Sequence, residues 1–149
     1  MAVAACVLLG LLAVPPGAHA GAGMETIMQD DALLLHRSPA EVGATLDTMA
    51  GLGVDRIRAT AVWSEIAPAA DARARPAFDA RDPAAYPARA WDRLDTLVRL
   101  ATARGLAMDL DVGFWAPLWA TRQARPARAV REIDAGEFGL FAHAVATRY

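Results

Sequence analysis

The fold class is decided by residues 53–63, which read Gly53-Val54-Asp55-Arg56-Ile57-Arg58-Ala59-Thr60-Ala61-Val62-Trp63. A glycine suited to end a helix stands just before Asp55 to Trp63, which we predict as a strand. Alternate residues of a strand point to opposite sides, so Arg58 falls on one side and Ile57 on the other. Outward from this stretch, the chain repeats a short apolar strand, a loop and a helix with clear end signals. Such alternation favours a parallel α/β sheet or barrel.

The helix before this strand carries signals at both of its ends. Ser38 is predicted as its N-cap, Pro39 as its first helical residue, and Glu41 as the partner in a capping box. Its buried face is predicted to hold four apolar residues spaced three or four positions apart, namely Val42, Leu46, Met49 and Leu52. Gly53 then ends the helix in the left-handed conformation.

The flanking elements complete three strand–helix units. The predicted bounds are Glu25–Gln29 for the first strand, Trp91–Arg104 for the second helix, Leu106–Phe114 for the third strand, and Asp134 onward for the third helix. Gly105 ends the second helix, and Glu137 joins Asp134 in another N-terminal capping pair.

The loops between these elements differ in length in a consistent way. Helices lead into strands through one or two residues near Gly53 and Gly105, whereas long loops follow the strands at Trp63 and Trp115. This arrangement is typical of a barrel whose working face lies at the carboxyl ends of its strands. The loop Ser64–Ala90 also fits a disordered surface insertion, because it is rich in Ala, Pro, Arg and Asp.

The first twenty residues have the pattern of a signal peptide. Val3 to Val14 is a run of apolar and small residues, and Ala18-His19-Ala20 offers a small-residue cleavage site. The run is shorter than the roughly 20 apolar residues that span a bilayer. No Lys or Arg precedes it, which departs from the usual pattern. We therefore expect a signal peptide at 1–20, a secreted mature region at 21–149, and no stable membrane insertion after cleavage.

The composition argues against several kinds of partner and cofactor. All fifteen basic residues are Arg, charges of both signs are interspersed, and the formal net charge is -2, so we expect no nucleic-acid partner. The only cysteine, Cys6, lies in the predicted signal peptide, which leaves neither a disulfide nor a thiolate nucleophile. His36 and His143 lack metal-ligand spacing and no glycine-rich phosphate loop occurs, so we expect no metal and no cofactor. The oligomeric state is not determined by these features.

Arg58 is the first candidate for a functional role. It sits in the middle of a strand that should be buried on both faces, where an unpaired guanidinium would be very costly. Asp109 and Asp111 share one face of the third strand and could pair with it inside a barrel. Alternatively, both aspartates face solvent on an edge strand. In either case Arg58 is placed to orient acidic groups at a catalytic face.

Aromatic residues cluster at the predicted strand ends. Trp63 ends the second strand, and Trp115 and Trp119 follow the third. Flat indole faces suit sugar rings, because axial C–H bonds stack on the indole while the hydroxyls remain free for hydrogen bonds. One of the three could instead pack as core. Asp30 and Asp31 close the first strand, and since neighbours point opposite ways at most one faces the site, for which we favour Asp30.

Five stretches of the chain follow one another in the order of a known enzyme group. They read Met28-Gln29-Asp30-Asp31, Leu52-Gly53-Val54-Asp55-Arg56-Ile57-Arg58, Trp63-Ser64-Glu65-Ile66-Ala67-Pro68, Trp91-Asp92-Arg93-Leu94-Asp95 and Pro117-Leu118-Trp119-Ala120. Together they resemble the first three βα units of clan A glycoside hydrolases, in particular secreted bacterial members similar to family five cellulases and family thirty-nine xylosidases. The resemblance implies a (β/α)8 barrel that hydrolyses O-glycosyl bonds, with a carbohydrate as its substrate.

The resemblance also implies where the catalytic groups belong. A retaining enzyme of this kind uses two glutamates, an acid/base at the end of strand four and a nucleophile at the end of strand seven. Neither strand is predicted here, and residues beyond position 20 number about half of the roughly 250 in such a barrel. We therefore expect the first three units of an incomplete (β/α)8 barrel, with no catalytic residue among them.

By the same resemblance, Arg58 matches the strand-two arginine that supports the nucleophile, and Trp119 matches a subsite aromatic. Asp30 falls near the cleft. The predicted substrate-binding residues are Arg58, Trp63, Trp119 and Asp30. Two other classes stay open. One is a noncatalytic secreted carbohydrate-binding or interaction module. The other is a different barrel enzyme, such as a polysaccharide deacetylase or aldolase, which the lack of a metal cluster or a Schiff-base lysine disfavours.

Overall fold

The computed structural model describes residues 23–122 and 131–149. The predicted signal peptide lies outside the described residues. The three strands are β1 (Ile27–Gln29), β2 (Arg56–Val62) and β3 (Ala107–Gly113). The five α-helices are α1 (Asp31–Leu34), α2 (Pro39–Gly51), α3 (Trp63–Ile66), α4 (Asp92–Thr102) and α5 (Ala135–Arg148). Short 3-10 turns occur at Pro83–Ala85 and Leu118–Ala120.

The fold is α/β and is built on a three-stranded parallel sheet in the order β1-β2-β3. Met28 is paired with Ile57, and Ile57 is paired in turn with Met108. Each predicted strand is present, with bounds one or two residues shorter than expected. Because the strands are parallel and follow one another in sequence, their carboxyl ends meet at one edge of the sheet.

The predicted helix ends are confirmed. Ser38 caps α2 in a capping box, since its backbone N–H donates to Glu41 Oε2 at 3.0 Å and its Oγ accepts from the Glu41 N–H at 3.4 Å. Gly53 and Gly105 adopt φ values of 80° and 72°, which only glycine tolerates without strain. Asp134 caps α5 by accepting hydrogen bonds from two backbone N–H groups.

The hydrophobic core lies on one face of the sheet only. Ile57, Ala59 and Ala61 of β2 are fully buried under helices α2, α4 and α5. These helices contribute nine buried side chains, namely Val42, Leu46, Met49, Leu94, Leu97, Ala101, Phe141, Ala144 and Val145. Leu52, predicted to share the buried face of α2, is 70% exposed because it follows the last helical residue.

The long loop after β2 packs as part of the molecule, so the alternative of a disordered insertion does not describe it. Tyr86 is buried and donates a hydrogen bond from its hydroxyl to the carbonyl of Ala80 at 2.9 Å. Trp91 donates from its indole N–H to the carbonyl of Pro83 at 3.0 Å. Phe78 contacts Tyr86 edge to face, with ring centroids 5.3 Å apart. The loop is thereby fixed over the end of the core.

The opposite face of the sheet has no helical cover among the described residues and carries polar side chains. The expectation that β2 is buried on both faces is therefore wrong at Arg58, although Thr60 on the same side is buried. Arg58 lies on this uncovered face with its side chain 44% exposed, and its Nη2 donates to Asp111 Oδ2 at 2.9 Å. The predicted Arg–Asp pair is present, but at a face open to solvent.

Candidate functional site

A cavity lies at the edge of the sheet where the strands end. Its volume is about 210 Å³. We call it the edge cavity, and its lining residues are Gln29, Asp31, Leu35, His36, Thr60, Val62, Glu65, Phe114 and Trp115. A neighbouring cavity of about 590 Å³ shares Leu35, Thr60, Val62 and Glu65 with it and continues toward the start of α4. Together they form a groove beside the carboxyl ends of the strands.

The floor of the edge cavity is polar and held in place by hydrogen bonds. Thr60 of β2 is buried, and its backbone N–H donates to Asp31 Oδ1 at 3.2 Å. Gln29, the last residue of β1, donates from Nε2 to Thr60 Oγ1 at 3.4 Å. Thr60 thus fixes one carboxylate and one amide, the two kinds of group that most often bind hydroxyls of a polar ligand.

One wall of the groove formed by the two cavities is charged, with His36 lining the edge cavity, Arg93 lining the larger cavity and Glu65 lining both. Arg93 of α4 places its Nη1 3.1 Å from His36 Nδ1 and 3.3 Å from Glu65 Oε2. His36 follows α1 and Glu65 belongs to α3, so a single guanidinium joins three separate segments. The wall therefore combines a cation, an anion and an imidazole in one contact group.

The facing wall is aromatic. Phe114 and Trp115 follow β3 directly and have positive φ values of 52° and 35°, a conformation that is strained for bulky residues. Their rings meet edge to face with centroids 5.8 Å apart, and Phe114 is 62% exposed. The Trp115 carbonyl accepts a hydrogen bond from the Ser64 N–H at 2.9 Å, which ties this turn to α3. The strained turn therefore presents two aromatic side chains at the cavity.

Two of the four predicted binding residues, Trp63 and Trp119, lie in the core. Trp63 is 2% exposed and stacks on Phe141 with centroids 5.6 Å apart. Trp119 is 9% exposed, meets Trp63 edge to face, and donates from its indole N–H to the Pro68 carbonyl at 3.0 Å. Their ring faces are covered by protein, so these indoles cannot stack on a sugar as predicted. Of the three clustered tryptophans, Trp115 is the one at the cavity.

The other two predicted residues, Asp30 and Arg58, lie beside the cavity without lining it. Asp30 is the N-cap of α1, and its Oδ1 accepts from the Leu33 N–H at 3.0 Å. Its neighbour Asp31 lines the cavity, whereas Asp30 does not, and the preference for Asp30 as a binding residue stays a prediction. Arg58 is paired with Asp111 on the uncovered sheet face.

Four residues at these cavities, His36, Glu65, Phe114 and Arg93, were not among the predicted binding residues. Phe114 belongs to the aromatic run after the third strand. Glu65 and Arg93 belong to stretches quoted for the resemblance, but no spacing rule predicts their contact with each other or with His36. Within the described ranges, no group of three or more His, Cys, Asp or Glu side chains is arranged to hold a metal ion.

The carboxyl groups with shifted pKa values lie away from the edge cavity. Hydrogen bonds from Arg104 and from Thr26 hold the pKa values of Asp47 and Asp55, respectively, below their usual range. The pKa of Asp95 is lowered by hydrogen bonds from Arg148 and Tyr149. Burial raises the pKa of Tyr86 to about 12, so its hydroxyl stays protonated and keeps donating. These groups stabilise parts of the fold away from the cavity.

Comparisons with protein-family models, with curated proteins and with solved structures return no match to this chain. In the part of the chain that the structure describes, none of the helices has the length and apolar character needed to cross a bilayer.

Proposed function

We propose that the chain belongs to a secreted glycoside hydrolase and forms the first three βα units of its (β/α)8 barrel. The parallel order β1-β2-β3 and the placement of the helices on one face agree with such units. The observation that carries the proposal is the edge cavity, where a strained aromatic pair faces polar side chains at the carboxyl ends of the strands. Barrel enzymes use that edge of the sheet for their substrates.

The edge cavity has the chemistry that a sugar ring requires. An aromatic face at Trp115 offers a surface for the axial C–H bonds of a pyranose. Gln29, Asp31, His36 and Glu65 supply hydrogen-bond donors and acceptors for its hydroxyls. The adjoining larger cavity provides room for a neighbouring sugar unit. The substrate class that fits is an oligosaccharide or polysaccharide.

Hydrolysis itself requires two carboxyl groups about 5 to 5.5 Å apart in a retaining enzyme. The resemblance assigns these groups to strands four and seven, and the described residues supply strands one to three. We assign no catalytic residue here, so the described part binds and orients the sugar. Arg58 holds Asp111 through its ion pair and is proposed to support the nucleophile from this position.

A noncatalytic glycan-binding protein is the second candidate function. It is favoured by the hydrogen bonds that the two cavity carboxylates already make, Asp31 with the Thr60 N–H and Glu65 with Arg93. A carboxylate engaged in this way is better suited to hold a side chain or a ligand in place than to attack a glycosidic bond. Both candidates predict sugar binding without release of reducing sugar by the described residues. The two differ in an enzyme with all eight barrel units, where strands four and seven would supply the two glutamates and reducing sugar would be released.

Binding of cellohexaose and xylohexaose to the purified protein tests the proposal. Titration calorimetry should detect at least one of them, and Trp115→Ala should weaken that binding about tenfold, the loss expected for one aromatic contact worth about 1.4 kcal/mol. Leu52→Ala is the control, because Leu52 is exposed and lies outside the cavity. No binding of either sugar by the unmodified protein, or equal binding by the Trp115 variant, would overturn the assignment of the cavity.

A further inference from the structure

Arg93 contacts two residues of the groove that lie far from it and from each other in the sequence. It extends from the first turn of α4, while His36 and Glu65 lie 57 and 28 positions away along the chain. The same nitrogen, Nη1, contacts both His36 Nδ1 and Glu65 Oε2. The contact with Nη1 decides which ring nitrogen of His36 accepts a hydrogen bond.

The position of the proton on His36 follows from the nature of its partner. A guanidinium stays protonated in proteins and carries only donors, so Arg93 Nη1 must donate in this contact. His36 Nδ1 must then accept, and an accepting ring nitrogen carries no hydrogen. A neutral His36 in this arrangement therefore carries its one proton on Nε2. Protonation of both nitrogens would remove the acceptor and set two cations side by side.

Glu65 keeps the guanidinium in the position that this contact needs. Its carboxylate accepts from Arg93 at 3.3 Å and balances the positive charge, so the trio with a neutral imidazole has no net charge. The contact with Arg93 uses Nδ1 and leaves Nε2 outside it. His36 is exposed and lines the edge cavity, so a ligand there can reach its ring.

We propose that Arg93 is a positioning residue that holds His36 in the Nε2–H tautomer, so that His36 donates a hydrogen bond to a hydroxyl oxygen of the bound sugar. This inference rests on the proposed function. It assigns His36 as a binding residue for an uncharged glycan and gives Arg93 a role that acts through His36. In the other tautomer, Nε2 would be an acceptor and the ring would present no donor to a ligand at that atom.

The tautomer can be measured without any ligand. Long-range ¹H–¹⁵N NMR at about pH 8, where an ordinary imidazole is neutral, distinguishes the two ring nitrogens. We expect almost only the Nε2–H tautomer for His36 in the unmodified protein and a larger share of the Nδ1–H tautomer in Arg93→Met, whose side chain has no donor for Nδ1. Arg99→Met is the matched control, because Arg99 lies on the same helix, is exposed and lines neither cavity. A His36→Asn variant assigns the signal.

Sugar binding provides the second readout. Arg93→Met should bind the oligosaccharide recognised by the unmodified protein about three- to tenfold more weakly, the range for one hydrogen bond of about 0.7 to 1.4 kcal/mol. Arg93→Lys should restore part of the affinity, since its ammonium can donate to the same nitrogen. Arg99→Met should bind normally.

The outcomes separate this inference from the proposed function. An Nδ1–H tautomer in the unmodified protein, or an unchanged tautomer in Arg93→Met, overturns the role of Arg93 even if sugars bind. Unchanged affinity of Arg93→Met overturns it as well. Failure of the unmodified protein to bind either oligosaccharide overturns the proposed function and the sugar role of His36 together, whereas the tautomer measurement still decides whether Arg93 orients the ring.

Discussion

Replacement of Trp63 by alanine should remove a central part of the core. The indole is 2% exposed and contacts three rings, Trp119, Phe138 and Phe141, with centroids 5.6 to 5.9 Å apart. Truncation of a buried Trp to Ala costs about 3–5 kcal/mol, and aromatic pairs contribute about 0.5–1.5 kcal/mol beyond their buried area. We therefore expect Trp63→Ala to lower the free energy of unfolding by about 4 kcal/mol.

Urea unfolding followed by far-ultraviolet circular dichroism measures this loss. With a slope of about 2 kcal/mol per molar urea, the midpoint should fall by about 2 M. Phe114→Ala is the control, since it removes an aromatic ring that is mostly exposed, and its cost should stay below about 1 kcal/mol. Equal midpoints for the two variants, or loss of sugar binding by Trp63→Ala with unchanged stability, would refute the assignment of Trp63 to the core.

Three further predictions concern helix ends and ion pairs. Gly105→Ala should lower the free energy of unfolding by about 1–2 kcal/mol, because the φ of 72° at this position strains a residue with a Cβ, although the space around it is open. Gly51→Ala, at an ordinary φ and also in open space, should raise the free energy of unfolding by about 0.4–1 kcal/mol. The melting temperatures of the two variants should therefore move in opposite directions. Ser38→Ala should lose about 1 kcal/mol with the cap of α2, as measured by urea denaturation. The pKa of Asp95 is lowered because Arg148 donates hydrogen bonds to its carboxylate. The stabilisation from this pair is therefore present above about pH 4 and disappears as the pH falls through the folded-state pKa. Asp95→Asn should melt at a lower temperature than the unmodified protein at pH 7, and the two melting temperatures should converge in acid.

The helix ends were predictable because their signals are local. The reciprocal hydrogen bonds of Ser38 and Glu41 and the left-handed glycines at 53 and 105 depend on residues a few positions apart. The parallel order of the strands followed from their alternation with helices. α1 and α3 were not predicted, since each is a single turn and lies at a strand end that was expected to be a loop.

The burial of Trp63 follows from strand alternation, which places it on the same side of β2 as Ile57, Ala59 and Ala61. The prediction of a sugar-binding role rested on its position at the strand end and overlooked that this side of β2 faces the core. β2 passes into α3 at this residue with no loop between them. Arg58 is more exposed than predicted, because the elements that cover a strand face are a property of the assembled fold and its part of the β2 face is open among the described residues.

The charged wall of the groove shows a limit of prediction from sequence. The contact of Arg93 with His36 and Glu65 depends on how α4 packs beside α1 and α3, and no spacing rule links residues so far apart. His36 taken alone fits an ordinary loop residue. The aromatic wall was closer to prediction, because the run after the third strand placed tryptophans at the correct end of the sheet.

The two consecutive left-handed residues after β3 have a consequence for the thermodynamics of recognition. The left-handed backbone conformation costs about 1 kcal/mol or more of folding free energy for each of these bulky residues. This cost is incurred when the chain folds and not when a ligand binds. The Ser64 hydrogen bond to Trp115 then holds the turn in its bent shape. A ligand that stacks there has little backbone entropy left to remove, so such preorganisation should favour tight discrimination between sugars of different shape over broad, adaptable binding.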